Sequence, residues 1–371
     1  MARKLINVAL LLGALVSIYS FFCLYPSLSL EMANLHFQPL AVLRGIPSTD
    51  PLCRRPANNT PVDRHTLTSA WLVKRSEKYG KKLKDTLHKR MDRRTDGDIL
   101  KLDLAGRFFK IWGKDRPGST CYNFVTRFGR GLPRVYLVSF PRSGNTWARY
   151  LLEAATGVFS GSVYSDRTIY NNGFLGETDS VGSKRTIIQK THAASVYLHF
   201  PIDQADRYKL IDPGLPAVLI LRNPAEAIIS YWKFFKSRGK KNIHTAQIPL
   251  TKFNDPHFHK FFETALSIWE ILATDVLLWH SAPLHVVHYE HLVNNTDLHL
   301  RKILHFLGVP EDEERLSCVS SHLAGPVKSV DKKSVDPFTS SEKMIIAKTV
   351  DRVNRLLLLL GYPVIASSQK H

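Results

Sequence analysis

The apolar and polar positions of this chain fall into three textures. The first is a single block, residues 5–24, apolar except for Asn7 and small or hydroxyl side chains. Its length suits one helix crossing a hydrocarbon layer of ~30 Å. The second texture, residues 25–133, has little periodicity. Residues 31–70 are broken by Pro39, Pro47, Pro51, Pro56 and Pro61 and read as a stem, and residues 71–133 are dense in charge, with a helical stretch over 77–94. The third begins at Arg134, where short β runs alternate with amphipathic helices. Residues 134–140 (RVYLVSF), 186–190 (TIIQK), 217–221 (AVLIL) and 285–289 (HVVHY) predict strands. Residues 146–155 put Trp147, Tyr150, Leu151 and Ala154 on one helical face, and 225–235 predict a second helix. Phe262, Leu266, Trp269, Leu272, Val276 and Trp279 stand in register for a third. Residues 298–307 and 344–360 predict two more, stopped by Gly308 with Pro310 and by Gly361 with Pro363. Strands alternating with helices predict an α/β fold, a parallel sheet flanked by helices on both faces.

The block at 5–24 changes the picture of everything behind it. Arg3 and Lys4 precede it, and few charges follow before Arg44. That bias keeps residues 1–4 cytosolic and sends the rest across the membrane as a single-pass, type II signal anchor. The alternative is a cleaved signal peptide leaving near Ser27 and Ser29, although its apolar region should be about 7–15 residues, shorter than this one. Two glycosylation sequons suit a lumenal placement, with Asn58 and Asn294 as acceptors. In an oxidising lumen two of Cys53, Cys121 and Cys318 would pair, and the sequence leaves open which two. The expected order is a tail (1–4), an anchor (5–24), a stem and basic region (25–133) and one α/β domain (134–371).

Composition removes some alternatives. With 371 residues, 44% of them hydrophobic, the chain can bury a core and is not globally disordered. Four cysteines without a C-x-x-C pair make neither a disulfide-dense scaffold nor a zinc site. The formal charge is +19, and residues 74–134 carry 18 Lys+Arg against 7 Asp+Glu, more than half of the excess. That region is either a solvated basic face or a patch that draws an anionic acceptor or membrane.

The most informative stretch is residues 139–147 (SFPRSGNTW), between the first strand and the first helix of the α/β region. A parallel sheet places an anion there, because the helix N-terminus offers unpaired N–H groups and partial positive charge. Gly144 allows close backbone approach, Ser143, Asn145 and Thr146 add short donors, and Arg142 adds a permanent cation. It is not a Walker A loop: no glycine stands five positions before Gly144, and Asn145 takes the place of the lysine, which disfavours ATP phosphoryl transfer. No Asp/Glu metal cluster accompanies the loop.

This loop resembles the 5′-phosphosulfate loop of sulfotransferases that use 3′-phosphoadenosine 5′-phosphosulfate (PAPS). Residues 220–231 resemble their 3′-phosphate site, with Arg222 at a strand end and Ser230 eight positions later. Lys190-Thr191-His192 resembles the family's Lys-Thr-His element, and Tyr289, after the fourth strand, stands where a tyrosine lies near adenine. The wording SFPRSGNTWARYLLEAATG and the single anchor look most like the WSC-domain-containing sulfotransferase-like family, without the cysteine-rich WSC modules. The resemblance covers roughly residues 134–361 and implies a P-loop-type sheet. It also implies PAPS as co-substrate with no metal, and Golgi membrane residence with the catalytic domain in the lumen. By the same resemblance His192 is the general base and Lys190 stabilises charge on the leaving phosphate. Arg142, Ser143, Gly144, Asn145, Thr146, Trp147, Arg222, Ser230 and Tyr289 would bind the nucleotide.

Two departures stand out. Arg142 replaces a lysine common in relatives, and the C-terminal Arg-Lys-Gly element has no match, leaving Lys328, Lys332 and Lys333 as substitutes. Trp147 and Tyr231 either stack on adenine or belong to the core. The Lys/Arg run at 236–241 either rims the cleft or is a solvated loop. The acceptor is expected to be a hydroxyl of a glycan or glycoprotein, with no nucleic-acid partner. The competing readings are a different P-loop nucleotide enzyme such as a kinase, and a non-catalytic protein that binds PAPS or glycans.

Overall fold

The computed structural model describes residues 100–196, 209–237, 248–326 and 336–366. All lie in the second of two compact units, Thr68–His371. The anchor, Asn58, Cys53, the helical stretch at 77–94, residues 238–241, and Lys328, Lys332 and Lys333 lie outside the described residues. Among those described, no helix is long and apolar enough to cross a membrane.

The strands are β1 (Phe108–Lys110), β2 (Val125–Arg127), β3 (Tyr136–Ser139), β4 (Gly161–Ser162), β5 (Gln189–Thr191), β6 (Ala217–Leu221) and β7 (Leu284–His288). The helices are α1 (Asn145–Thr156), α2 (Arg167–Asn171), α3 (Pro224–Lys236), α4 (Pro256–Trp279), α5 (Tyr289–Asn294), α6 (Thr296–Leu307), α7 (Glu313–Ser321) and α8 (Ser340–Leu359). Local sequence sets their ends. Asn223 and Asp255 cap α3 and α4, each followed by proline at the first helical position, where its missing N–H costs nothing. Thr339 and Glu342 form a reciprocal capping box on α8. Gly157 and Gly308 close α1 and α6 in the left-handed conformation.

Five strands form one parallel sheet in the order β4-β5-β3-β6-β7. Every residue of β3 and β6 is buried, as a sheet covered on both faces requires. Successive residues feed opposite layers. Tyr136, Val138, Ala217, Leu219 and Leu221 join α3, α4 and α8, whereas Leu137, Val218 and Ile220 join α1, α6 and α7. The chain lays β5 on one side of β3 and then β6 on the other. The order therefore reverses at β3, the point where open α/β sheets receive ligands at their carboxyl ends. Register aligns those ends: Val138 pairs with Thr191, and Ser139 with Ile220.

The compact unit reaches back past Arg134, the expected boundary. β1 and β2 pair antiparallel, Trp112 enters the α1 layer and donates from Nε1 to the Tyr150 hydroxyl (3.1 Å), and Cys121 bonds to Cys318. That disulfide settles the open pairing. It closes a loop spanning 197 positions, worth about 5 kcal/mol in the chain-entropy account. The local charge of residues 100–133 hid this packing, because the apolar positions that carry it are single residues without a period. β4 was equally hidden. It is two small residues, and a Cβ on Gly161 would sit 2.5 Å from the Gln189 side chain.

Candidate active site

The carboxyl ends of β5, β3 and β6 lie side by side, and each delivers one part of the site. β3 delivers the loop. Arg142 (φ 66°) and Gly144 (φ 88°) are both left-handed, and the Ser143 N–H closes a turn onto the Phe140 carbonyl (3.2 Å), so the N–H groups that open α1 are the ones left to face an anion. A side chain at Gly144 would be strained and would also strike the Tyr289 ring at 2.5 Å. Arg142, not a glycine, bears a left-handed cost of roughly 1–2 kcal/mol. Its contacts offset this: its carbonyl accepts from Arg222 Nη1 (2.8 Å), its Nε donates to Ser230 Oγ (3.3 Å), and its guanidinium lies over Phe234. The Ser143 hydroxyl is fully buried and has no hydrogen-bond partner among the described residues.

β6 delivers Arg222. Its Nη1 fixes the loop through the Arg142 carbonyl, its Nη2 stands 4.0 Å from Glu226, and its plane covers the Tyr289 ring at 4.6 Å. The Trp269 indole holds the Arg222 carbonyl from below (3.2 Å). Arg222 Nε is buried without a hydrogen-bond partner among the described residues. Arg142 thus stands between Arg222 and Ser230, bonded to each, where Arg222 and Ser230 alone were expected to form an anion clamp. The Ser230 hydroxyl accepts from Arg142.

β5 delivers the base. Lys190 and His192 stand two apart. His192 Nδ1 faces the Ser139 carbonyl (2.8 Å), so Nδ1 carries the ring proton and Nε2 the lone pair. Burial first, then the nearby Lys190 charge, hold the imidazolium off and push its pKa down to about 3. Burial likewise pushes Lys190 down to about 8, against the pull of Glu177 and Asp166. Tyr164 organises both. Its hydroxyl accepts from the His192 backbone N–H (2.9 Å), its ring stacks on the imidazole, and Lys190 Nζ sits 5.8 Å from the ring centre. No sequence signal marked Tyr164, because it follows the two-residue β4. Ser139 was in view only as a strand end, yet its carbonyl fixes the histidine tautomer.

Three expected cofactor contacts change character. The Asn145 side chain turns back into the sheet, donating to the Leu137 carbonyl (3.0 Å) and Ser139 Oγ (3.1 Å), so it ties the loop down. Trp147 is core, its indole bonded to the Leu323 carbonyl (2.7 Å); helical spacing put it on the buried face of α1. Tyr289 packs edge-on to Gly144 and Trp147 and under Arg222, forming the wall of the loop. Thr146 is half-buried at the helix start, and Tyr231 belongs to the core. Lys236 pairs with Asp255 (2.7 Å). His285 and His288 are structural: one stacks on Phe306, the other bonds the Pro363 carbonyl. Asn294 is exposed at the end of α5.

Fold and site together define an α/β protein with an anion-type loop at its topological switch point and a neutral histidine on the neighbouring strand. The sulfotransferase domain family matches residues 132–348, more than half of the chain, and the chain belongs to that family. Among similar proteins, WSCD family member GA21586 of Drosophila pseudoobscura pseudoobscura is 31% identical over 206 residues, which cover 55% of this chain and 60% of that protein. WSCD family member CG9164 of Drosophila melanogaster is 30% identical with the same coverage. The chain thus spans 60% of the length of these relatives. Of solved structures, mouse sulfotransferase SULT7A1 complexed with PAP aligns over 60% of this chain and 84% of that one, at 15% identity and a TM-score of 0.39.

Proposed function

We propose that this protein is a PAPS-dependent sulfotransferase acting on a hydroxyl of a glycan or glycoprotein, anchored in the Golgi membrane as a single-pass type II protein with its α/β domain in the lumen. One observation carries the reading: adjacent strand ends bring together the left-handed loop, Arg222 and a histidine whose Nε2 lone pair is left open. The residues fit a nucleotide with two phosphate ends. The Ser143 hydroxyl and Arg222 Nε are buried without partners, a costly arrangement unless a ligand meets them. The N–H groups that open α1 and the Ser143 hydroxyl would hold the phosphosulfate end, and Arg222 the 3′-phosphate.

When bound, PAPS supplies the sulfuryl group: the acceptor oxygen bonds to sulfur as the bond from sulfur to the bridging phosphate oxygen breaks, leaving its electron pair on PAP. His192 Nε2 takes the acceptor hydroxyl proton. A nitrogen with so low a pKa is a weak base in isolation, and the negative charge of a bound nucleotide raises its proton affinity. Lys190, close to the same face, counters the charge left on the phosphate. Tyr164 and the Ser139 carbonyl hold the imidazole in place. The lumenal part of the proposal draws on the apolar block at 5–24, the Cys121–Cys318 bond and the exposed Asn294.

The test is labelled-sulfate transfer from PAPS by the full-length protein across a glycan panel. His192→Ala should lower turnover by about 10²–10⁴-fold with the PAP-induced thermal shift retained. Stabilisation by ATP–Mg and not by PAP would overturn the reading, and transfer that survives His192→Ala would overturn the assignment of His192 as the base.

A further inference from the structure

A cavity of about 280 Å³ opens beside the N-terminal end of β5, away from the loop and His192, and is bordered by Arg107, Phe128, Tyr170, Thr178, Asp179 and Arg185. We propose that it is a second acceptor site, which binds an acidic sugar unit of a glycan chain while another unit of the same chain presents its hydroxyl to His192. The inference rests on the sulfotransferase reading above and adds an anchoring site to it.

The polar groups suit a sugar acid. Arg185 is fixed in place: its guanidinium lies on the Phe128 ring at 4.2 Å, and its Nη1 reaches Asp179 at 3.5 Å. Arg107 is exposed and among the described residues makes a single side-chain hydrogen bond, to the Tyr170 hydroxyl (3.2 Å), so most of its fork remains to meet a ligand. Two guanidinium groups serve a carboxylate or sulfate in the way such forks recognise planar and tetrahedral oxyanions. Asp179, whose Oδ2 accepts from the Ser183 hydroxyl (2.5 Å), lines the cavity with Thr178 and Tyr170 and offers its remaining lone pairs to sugar hydroxyls, and the Phe128 ring with the Arg185 stem gives an apolar wall. The volume lies just below the usual range for small-ligand sites, which begins near ~300 Å³, and so suits one ring rather than an oligomer. A bare phosphodiester chain fits less well, since Asp179 repels it and finds no hydroxyl on it.

The surroundings extend the charge. Backbone bonds from Gly129 to Arg185, from Leu132 to Lys184 and from Arg130 to Lys101 set four cationic residues on adjoining loop segments. With Arg107 they make five cations against two carboxylates, Asp103 and Asp179. Lys101 and Lys184 are exposed. The cavity is also linked to the reaction site by one run of chain. Tyr164, which holds His192, begins the segment that passes through Tyr170 and Thr178, and Arg185 ends it just before β5. Arg185 stands seven residues before His192, at most about 23 Å at strand rise, and at the opposite end of β5. An acceptor that meets both is therefore a chain of sugars running past the short edge strand β4.

The test uses the full-length protein and three probes. A hyaluronan decasaccharide carries carboxylates alone, a heparin decasaccharide carries sulfates as well, and a carboxyl-reduced hyaluronan decasaccharide carries neither. At least one acidic probe should bind more tightly than the neutral one, and the preference between the two names the acid group. Arg107→Gln should weaken that binding, and Arg107→Gln with Arg185→Gln should weaken it by about 10-fold or more. Arg107 is exposed, so its single variant decides the matter even where the double variant is unstable. Unchanged affinity in Arg107→Gln, equal binding of the neutral probe, or equally tight binding of single-stranded DNA of matched charge overturns the site. The PAP-induced thermal shift on the same samples reads the sulfotransferase conclusion separately. Loss of that shift with arginine-dependent glycan binding intact would break the sulfotransferase reading, whereas PAP binding without glycan binding breaks only the second site.

Discussion

Helix α1 carries two polar clusters that differ in one respect. At its N-terminus the loop leaves the Ser143 hydroxyl, Asn145 Oδ1 and the adjoining Arg222 Nε buried without partners. One to two turns further along, Arg149 and Glu153 are just as deeply buried, yet their groups are met. Arg149 donates from Nε to Ser160 Oγ (2.8 Å), from Nη2 to the Ser160 carbonyl (3.2 Å) and from Nη1 to Glu177; Glu153 accepts from the Ser160 N–H (2.9 Å) and its hydroxyl. Burial alone therefore does not mark a binding site. A polar cluster whose members satisfy one another is architecture, holding α1, β4 and the turn at Glu177 together. A cluster left open in a folded protein is poised for something outside it.

The sharpest way to break this contrast is to open the closed cluster. Glu177→Gln leaves Arg149 buried with its charge unmatched, and should cost about 3–5 kcal/mol of stability. The measurement is a urea unfolding curve, with the midpoint falling at constant slope. Arg149→Met with Glu177→Leu together should recover most of the loss, because no charge is then stranded. A single-variant loss below about 1 kcal/mol would rank the pair with ordinary surface pairs and erase the distinction.

Opening the other cluster should behave differently. Arg222→Ala removes a charged donor aimed at ligand and should weaken PAP binding by about 1.5–3 kcal/mol, roughly 10- to 150-fold, by titration calorimetry. The ligand-free melting temperature should move less than the affinity, since among the described residues the Arg222 side chain gives up one bond to the Arg142 carbonyl, its stacking on Tyr289 and a 4.0 Å pair with Glu226. Large destabilisation with unchanged PAP affinity would reverse the two roles.

The same contrast explains what the sequence could and could not reveal. The loop was legible because its parts are consecutive: Arg142, Ser143 and Gly144 stand between a four-residue buried strand and a twelve-residue helix. Arg222 was legible because it follows a strand with a recognisable apolar run, and Lys190 and His192 because they stand at the end of such a run. Adjacency says nothing of direction: Asn145 turns into the sheet, and of the two readings open for Trp147 the structure gives the core. Tyr164, Glu177 and the Cys121–Cys318 bond were illegible because their partners lie 28, 28 and 197 positions away and no period links them. The fold class and strand order of appearance followed from local pattern. β1, β2 and β4, at two or three residues each, fell below the length at which alternation can be seen.

The finest test of the closed cluster lies in its charge count. Glu153 is almost wholly buried, and burial, opposed by Arg149 and the Ser160 bonds and reinforced by Glu177, pushes its pKa up to about 7 from an ordinary 4.5. Arg149 and Glu177 then form one balanced ion pair, and Glu153 is the neutral third member below that pH. A folded value above the unfolded one means that the folded state holds the proton between about 4.5 and 7, where the unfolded chain has released it. Stability from this group is therefore complete in acid and is lost as pH rises through that window. Glu153→Gln keeps an oxygen to accept from the Ser160 N–H and carries no charge at any pH. The variant should match the parent near pH 5 and exceed it by of order 1 kcal/mol or more at pH 8, seen as a melting-temperature difference that grows between the two. A difference that stays flat, or a variant weaker at pH 8, would mean that Glu153 remains ionised in the folded protein. The cluster would then hold two carboxylates against one guanidinium, and it would be left open after all.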